Sequence, residues 1–231
     1  MNTELIRTIV IGVTASILAI VLHELAHGFT ALAMGDHTAQ REGRLSLNPL
    51  RHVDRFGTVI LPAILIVAQL LTIGRIGFMF GWAKPVPIDP SGFRDPRRGM
   101  AIVAAAGPAS NFLLALISAF ALAAIGTRGI IADFLLYFLL FNVLLGLFNL
   151  VPLPPFDGGR IAVGLLPLAA AKVLAQVERL GILVILFLVF ILPAALGEFG
   201  IKFNPVSDLI DNWVPRVAGF FLHLAGVHAG Y

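Results

Sequence analysis

The sequence has no cysteine and few charged residues. Of its 231 residues, only 13% are charged and 58% are hydrophobic, and the mean hydropathy is +0.95. The missing cysteine excludes disulfides, thiolate metal ligands and a cysteine nucleophile. The shortage of charge excludes a water-exposed globular protein of this length. We therefore predict that the chain lies in a membrane.

The sequence also lacks internal repeats, low-complexity runs and any linker long enough to separate two soluble domains. We expect one integral-membrane domain over residues 1–231, with a core at about residues 5–165 and C-terminal helices at about residues 166–231. The net charge is +3, from scattered basic residues. This pattern is typical of charges that flank membrane spans and argues against a nucleic-acid partner.

Long apolar runs are present throughout the chain. A helical span needs about 20 apolar residues, and five runs approach or exceed that length: residues 8–34, 56–74, 101–126, 130–151 and 180–197. The first run is too long for the apolar part of a secretory signal, so we expect it to remain as a helix. A sixth run, at 205–227, either spans or lies along the interface. Whether 56–74 spans fully is also left open.

These runs predict an all-α polytopic membrane protein, a bundle of about five to six transmembrane helices. Between the first helix and the central helices, residues 80–87 contain Pro85 and Pro87. Proline excludes a regular helix there, so we predict a small extended or β element.

The polar island of the first run is His23-Glu24-Leu25-Ala26-His27. Residues four apart lie on one face of a helix, so His23 and His27 can hold one cation while Glu24 faces a metal-bound water. The alternative is that these three side chains satisfy one another without a metal. Ionisable groups are costly at membrane depth, which favours the metal-binding interpretation.

A zinc site needs a third protein ligand, and Asp157 is the candidate. Prolines at 152, 154 and 155 end the preceding helix, and two glycines follow the aspartate. The alternative is an ordinary turn and helix cap. Nine of the 16 Lys and Arg residues lie between residues 35 and 99, which predicts that most of this region faces the cytoplasm. The run at 130–151 then returns inward and brings Asp157 to the level of the two histidines.

Taken together, the motifs at 23–27 and 149–159 resemble the site-2 protease family of intramembrane metalloproteases. A third motif, at 106–112, resembles the glycine-to-asparagine motif of that family. Residues 43–49 and 81–87 are similar to its compact prokaryotic branch, which has no PDZ or CBS domain. The resemblance covers about residues 15–165 in the same order.

This resemblance implies that His23, His27 and Asp157 ligate one Zn²⁺ per chain and that Glu24 is the general base. It implies that Asn149 lies beside the metal and positions substrate or stabilises the oxyanion. It gives Gly107 and Asn111 a supporting role in packing and polar contacts.

The function implied is hydrolysis of peptide bonds within or near transmembrane segments of membrane-protein substrates. The expected location is the prokaryotic inner membrane, with the active site toward the cytoplasm and with lipid and a transmembrane substrate as partners. The alternatives are a membrane zinc transporter or metal sensor with the same ligands, and an inactive scaffold. The sequence carries no signature of oligomeric state or of substrate identity.

Overall fold

The computed structural model describes residues 3–74, 81–201 and 204–227, and most of these residues are helical. The α-helices, in chain order, are α1 Thr3–Ala33, α2 Thr38–Arg41, α3 Leu61–Ile73, α4 Pro96–Ile125, α5 Ile130–Asn149, α6 Asp157–Leu165, α7 Leu168–Val177, α8 Gly181–Leu186, α9 Leu192–Glu198, α10 Pro205–Asp208 and α11 Val214–Leu224. Within the described residues, α1, α4 and α5 are long and apolar enough to cross a membrane.

Helix α1 packs against both α4 and α5 through small residues. Ala15, Ala19 and Ala31 are fully buried. In lipid, small side chains favour association because they allow helix backbones to approach closely. This face of α1 also carries His23 and His27, so the same packing places both imidazoles inside the protein.

Helices α4 and α5 form an antiparallel pair. Asp95 caps α4, because its carboxylate accepts hydrogen bonds from the amides of Arg97 and Arg98, and Pro96 occupies the first turn. The pair is packed through buried Ala115, Ala119, Leu122, Leu139 and Val143. The C-terminal helix α11 contributes Val214 and Ala218 to the same cluster, so it packs on the α4–α5 pair.

The predicted spans at 8–34, 101–126 and 130–151 are confirmed as helices α1, α4 and α5. The other three apolar runs are helical but composed of shorter pieces. Residues Arg55–Ile60 form a π-helical turn before α3, Phe187–Ile191 join α8 to α9, and Leu209–Trp213 join α10 to α11. The all-α membrane architecture is therefore confirmed, with three helices of spanning length in the described part of the chain.

The predicted extended or β element is non-helical where the structure describes it, at residues 81–89, and that part contains no strand. Residue 80 of the predicted element lies outside the described residues. Proline cannot donate to a β ladder, and the segment has prolines at 85 and 87. Its amides instead bond singly to neighbouring loops and side chains. We refer to residues 82–89 as the strap.

Candidate metal centre

Helix α1 presents His23 and His27 one turn apart on its buried face. The two residues are 6% and 7% exposed, and their rings meet edge to face with centroids 4.6 Å apart. Their Nε2 atoms lie 3.0 Å apart. Both imidazoles therefore direct the same nitrogen to one point, as the four-residue spacing predicts.

Asp157 completes the group from the start of α6. Its Oδ2 atom lies 3.2 Å from Nε2 of His23 and 3.2 Å from Nε2 of His27. Residues 150–156 form a turn that is closed by backbone hydrogen bonds, and the helix begins directly after it. A Cβ atom at Gly158 would lie 2.4 Å from the Val151 carbonyl oxygen, and one at Gly159 would lie 2.4 Å from the Pro154 nitrogen. The two glycines therefore permit the turn that brings the carboxylate to the histidines.

Each histidine uses its other ring nitrogen for a buried hydrogen bond. Nδ1 of His23 lies 2.6 Å from Oδ1 of Asn111, and Nδ1 of His27 lies 2.7 Å from the Val103 carbonyl oxygen. A carbonyl oxygen only accepts, so Nδ1 carries the proton in both rings. In the neutral imidazoles the two Nε2 atoms then carry no proton, and their lone pairs face Asp157.

The three converging atoms fit a metal cation. Oδ2 of Asp157 is buried and makes no hydrogen bond of acceptable geometry to any described residue, although both Nε2 atoms are 3.2 Å away. Three bare acceptors at this spacing repel one another unless a cation lies among them. Two ligand atoms on tetrahedral zinc, each about 2.0–2.1 Å from the ion, are about 3.3 Å apart. The observed separations of 3.0–3.2 Å are close to that value.

Asn111 is held in turn by a second buried amide that the sequence did not single out. Its Nδ2 donates to Oδ1 of Asn142 at 2.8 Å, and Nδ2 of Asn142 donates to the Phe138 carbonyl oxygen at 2.8 Å. Both asparagines are fully buried. The chain of amides fixes which end of Asn111 faces His23. An amide side chain in the middle of the apolar run 130–151 was the available signal, because polar groups at membrane depth are often functional.

Gly107 lies directly opposite the imidazoles. A Cβ atom there would lie 2.5 Å from Cε1 of both His23 and His27, and 2.5 Å from Nε2 of His27. Real Cβ contacts are not this short, so the helix must carry glycine at this position. The supporting role expected of Gly107 is therefore steric clearance for the metal ligands, whereas Asn111 supplies the polar contact.

Glu24 contacts the strap through its carboxylate. Its Oε2 atom accepts a hydrogen bond from the Val86 amide at 2.9 Å. The carboxylate is partly exposed. The side chain expected to act as base is therefore adjacent to the ligands along α1 and is held by backbone from another segment.

Asn149 is the last residue of α5, and the structure records one side-chain hydrogen bond for it. Its Nδ2 donates to the Leu145 carbonyl oxygen at 3.1 Å, within the same helix. Of the predicted site residues, the structure brings together His23, His27, Asp157, Gly107 and Asn111 around one point. The catalytic role of Asn149 stays a prediction.

Comparisons with known proteins identify a peptidase family and two related proteins. The model of peptidase family M50 matches residues 123–192, which include Asp157. A Bacillus subtilis (strain 168) protein named "Putative zinc metalloprotease YwhC" is 38% identical over 192 residues, covering 79% of this chain and 80% of that protein.

A second relative, from Mycolicibacterium smegmatis, is named "Putative zinc metalloprotease Rip2". It is 28% identical over 214 residues, covering 91% of this chain and 72% of that protein. No solved structure gives a significant match. On the extent of the Bacillus subtilis match and the motifs it accompanies, the chain belongs to peptidase family M50, the family of the site-2 proteases.

Proposed function

We propose that this protein is a zinc metalloendopeptidase that cleaves peptide bonds within or near transmembrane segments of membrane-protein substrates. The convergence of His23, His27 and Asp157, buried and at hydrogen-bond separations, is the observation that carries the proposal. The peptidase family and the names of the two relatives support zinc as the cation. We infer one zinc ion per chain, because one ligand set of this kind occurs among the described residues.

The residues of the site divide the chemistry between them. Zinc, when bound, polarises the scissile carbonyl and lowers the pKa of the attacking water. The Glu24 carboxylate takes a proton from that water and delivers it to the leaving amide nitrogen, so that water and one peptide bond become a carboxylate and an amine. The Val86 amide holds Oε2 of Glu24, which leaves Oε1 for the proton transfer. Val103 and Asn111 keep both histidines in the tautomer that binds metal.

The location of the site supports a substrate that is itself in the membrane. His23 and His27 lie within a helix of spanning length, and Asp157 follows shortly after another. We infer an integral membrane protein in a prokaryotic inner membrane, with the site toward the cytoplasm because of the basic region at 35–99. The packing of α11 on α4 and α5 supports one domain that includes the C-terminal helices. Lipid and a transmembrane segment are therefore the partners we expect.

Glu24→Gln tests this function against metal transport or sensing. The glutamine keeps the size of the side chain and can still accept from the Val86 amide, but it is not a base. We expect zinc content to stay at one per chain and cleavage of a panel of single-span membrane proteins to fall about 10²–10⁴-fold, the usual contribution of a general base. Asn149→Ala in the same panel tests the resemblance-based role of that residue.

Two outcomes would contradict an enzymatic function. If the parent protein binds zinc but cleaves none of the panel, while zinc flux into proteoliposomes is the same for parent and Glu24→Gln, the transporter alternative is supported instead. A parent that binds zinc but neither cleaves nor moves it would indicate a scaffold.

A further inference from the structure

The strap is attached to the rest of the protein through its backbone. The Trp82 amide donates to the Gly57 carbonyl oxygen at 3.2 Å, and the Lys84 amide donates to the His52 carbonyl oxygen at 2.8 Å. At the far end, the Asp89 amide donates to Oδ2 of Asp36 at 2.7 Å. The strap is therefore a fixed element, although it contains no regular secondary structure.

Arg44 holds the middle of the strap and is buried, at 5% exposure. Its Nη2 atom donates to the Lys84 carbonyl oxygen at 2.8 Å and to the Pro85 carbonyl oxygen at 3.2 Å. Among the described residues, no carboxylate forms an ion pair with it, and its buried Nε has no hydrogen-bond partner. A buried guanidinium without a carboxylate is a costly way to stabilise a loop, which points to a role other than stability.

The peptide group between Pro85 and Val86 connects Arg44 to Glu24. Its C=O accepts from the Arg44 guanidinium, and its N–H donates to the Glu24 carboxylate at 2.9 Å. A trans peptide is planar, with C=O and N–H pointing in opposite directions. A cation on the oxygen side and an anion on the nitrogen side polarise the same peptide group and strengthen both hydrogen bonds.

Helix α1 is shaped to admit this peptide group. Val86 is buried at 5% exposure, and a Cβ atom at Gly28 would lie 3.1 Å from Cγ1 of Val86 and 2.4 Å from Cδ2 of Leu45. The glycine therefore lets Leu45, next to Arg44, and Val86 reach the helix beside His27. Pro85 has no N–H, so the Val86 amide has no neighbouring donor before it that competes for Glu24.

We propose that Arg44 is a positioning residue for the proposed proteolysis: it grips the Pro85–Val86 peptide group and so fixes the orientation of the Glu24 carboxylate. This inference rests on the proposed function for its catalytic consequence, but the coupling of Arg44 to Glu24 through one peptide group can be measured without activity. Arg44 lies in the motif at 43–49, to which the sequence assigned no role.

The test uses the full-length, zinc-loaded protein in detergent, with Arg44→Gln, Arg44→Lys and the control Arg51→Gln. Arg51 is exposed, and its Nη1 also donates to a backbone carbonyl oxygen, that of Gly43, at 3.2 Å, which lies outside the strap. For Arg44→Gln we expect unchanged zinc content, KM within about threefold, and kcat about 10- to 100-fold lower, as for a displaced catalytic group. Arg44→Lys should recover part of kcat, and Arg51→Gln should match the parent.

Hydrogen–deuterium exchange of the peptide covering 82–89 provides the readout that is independent of activity. Arg44→Gln and Glu24→Ala should each speed exchange there, and the double variant should add little to either, because both residues hold the same peptide group, Arg44 at its C=O and Glu24 at its N–H. Parent-like exchange in Arg44→Gln, or a fall in kcat that only follows lost zinc, would overturn the proposal.

If Arg44→Gln does not accumulate in cells, Arg44→Lys is tested instead. A lower kcat of Arg44→Lys with parent-like exchange at 82–89 would also overturn the proposal. Absence of proteolysis in the parent protein would contradict the proposed function. Additive exchange effects in the double variant would contradict the coupling between Arg44 and Glu24.

Discussion

The two halves of the candidate site are built by different means. The metal-binding half consists of side chains on α1, α4, α5 and α6, held by close helix packing and a buried chain of amides. The half that holds Glu24 consists of backbone from the strap, which donates hydrogen bonds to neighbouring backbone carbonyls and accepts them from Arg44. Both halves meet on one turn of α1. The comparison indicates that metal binding and positioning of the base can be disrupted separately.

The largest effect should come from Asp157→Ala in the metal-binding half. The substitution removes a ligand and leaves two neutral imidazoles, so we expect zinc content to fall from one per chain to near zero. Proteolysis should drop by more than the ~10²–10⁴-fold attributable to a general base, because zinc is lost as well. Metal analysis of purified protein together with cleavage assays measures both. Zinc retained at parental levels would mean that Asp157 is only the cap of α6.

A smaller effect is expected from Gly107→Ala, which leaves every ligand in place. The added methyl group would lie 2.5 Å from both imidazoles, so one ring must move from the metal position. We expect zinc affinity about 10–100-fold weaker, similar to the loss of an orienting hydrogen bond. Gly12→Ala is the matched control, because a Cβ atom there would lie 4.0 Å from Phe141. Competition with a chelator measures the affinity, and equal affinities for the two variants would contradict steric clearance as the role of Gly107.

The smallest of the three effects should come from Asn142→Ala, one step further from the metal. The change leaves Nδ2 of Asn111 buried without its acceptor, which costs about 1–3 kcal/mol in the free energy of unfolding. We expect zinc affinity to fall about tenfold, toward the lower end of the range for outer-shell partners. Ser118→Ala is the control, since Ser118 is also buried but bonds only to Leu114 in its own helix. A larger loss of zinc affinity than in Asn111→Ala would contradict the order of contacts, in which Asn142 acts on His23 through Asn111.

The same variants also test whether the metal-binding half and the strap act independently. Variants in the metal-binding half should lose zinc and proteolysis together, whereas Arg44→Gln should lose turnover and keep zinc. A common loss of zinc in all of them would show that the two halves form a single cooperative unit.

The sequence predicted the parts of the fold that depend on lipid as the solvent. A run of about 20 apolar residues has few alternatives to a helix in a bilayer, so the spans at 8–34, 101–126 and 130–151 could be located without coordinates. Whether residues 80–87 form a strand was harder to predict. An apolar, proline-containing segment favours extended backbone, but whether it pairs as a strand depends on which neighbours accept its amides, and here these are single groups of loops and side chains.

The site was predictable where chemistry and spacing act along one helix, as at His23, Glu24 and His27. Asn142 and the Val86 amide were not identified, although they complete the surroundings of the ligands and of the base. A backbone amide has no sequence signature, because every residue other than proline offers the same group. An asparagine in an apolar run indicates a buried polar contact but not its partner.

The sequence alone determined the membrane helices and the pair of histidines, because hydrophobicity and helical spacing are local properties, and it offered Asp157 as the candidate third ligand. Only the tertiary structure decided that Asp157 meets both imidazoles, that Gly107 clears space for them, and that Arg44 reaches Glu24 through a peptide group. These contacts join residues as far apart as 23 and 157, and their distances follow from how helices and loops pack, which local pattern does not specify.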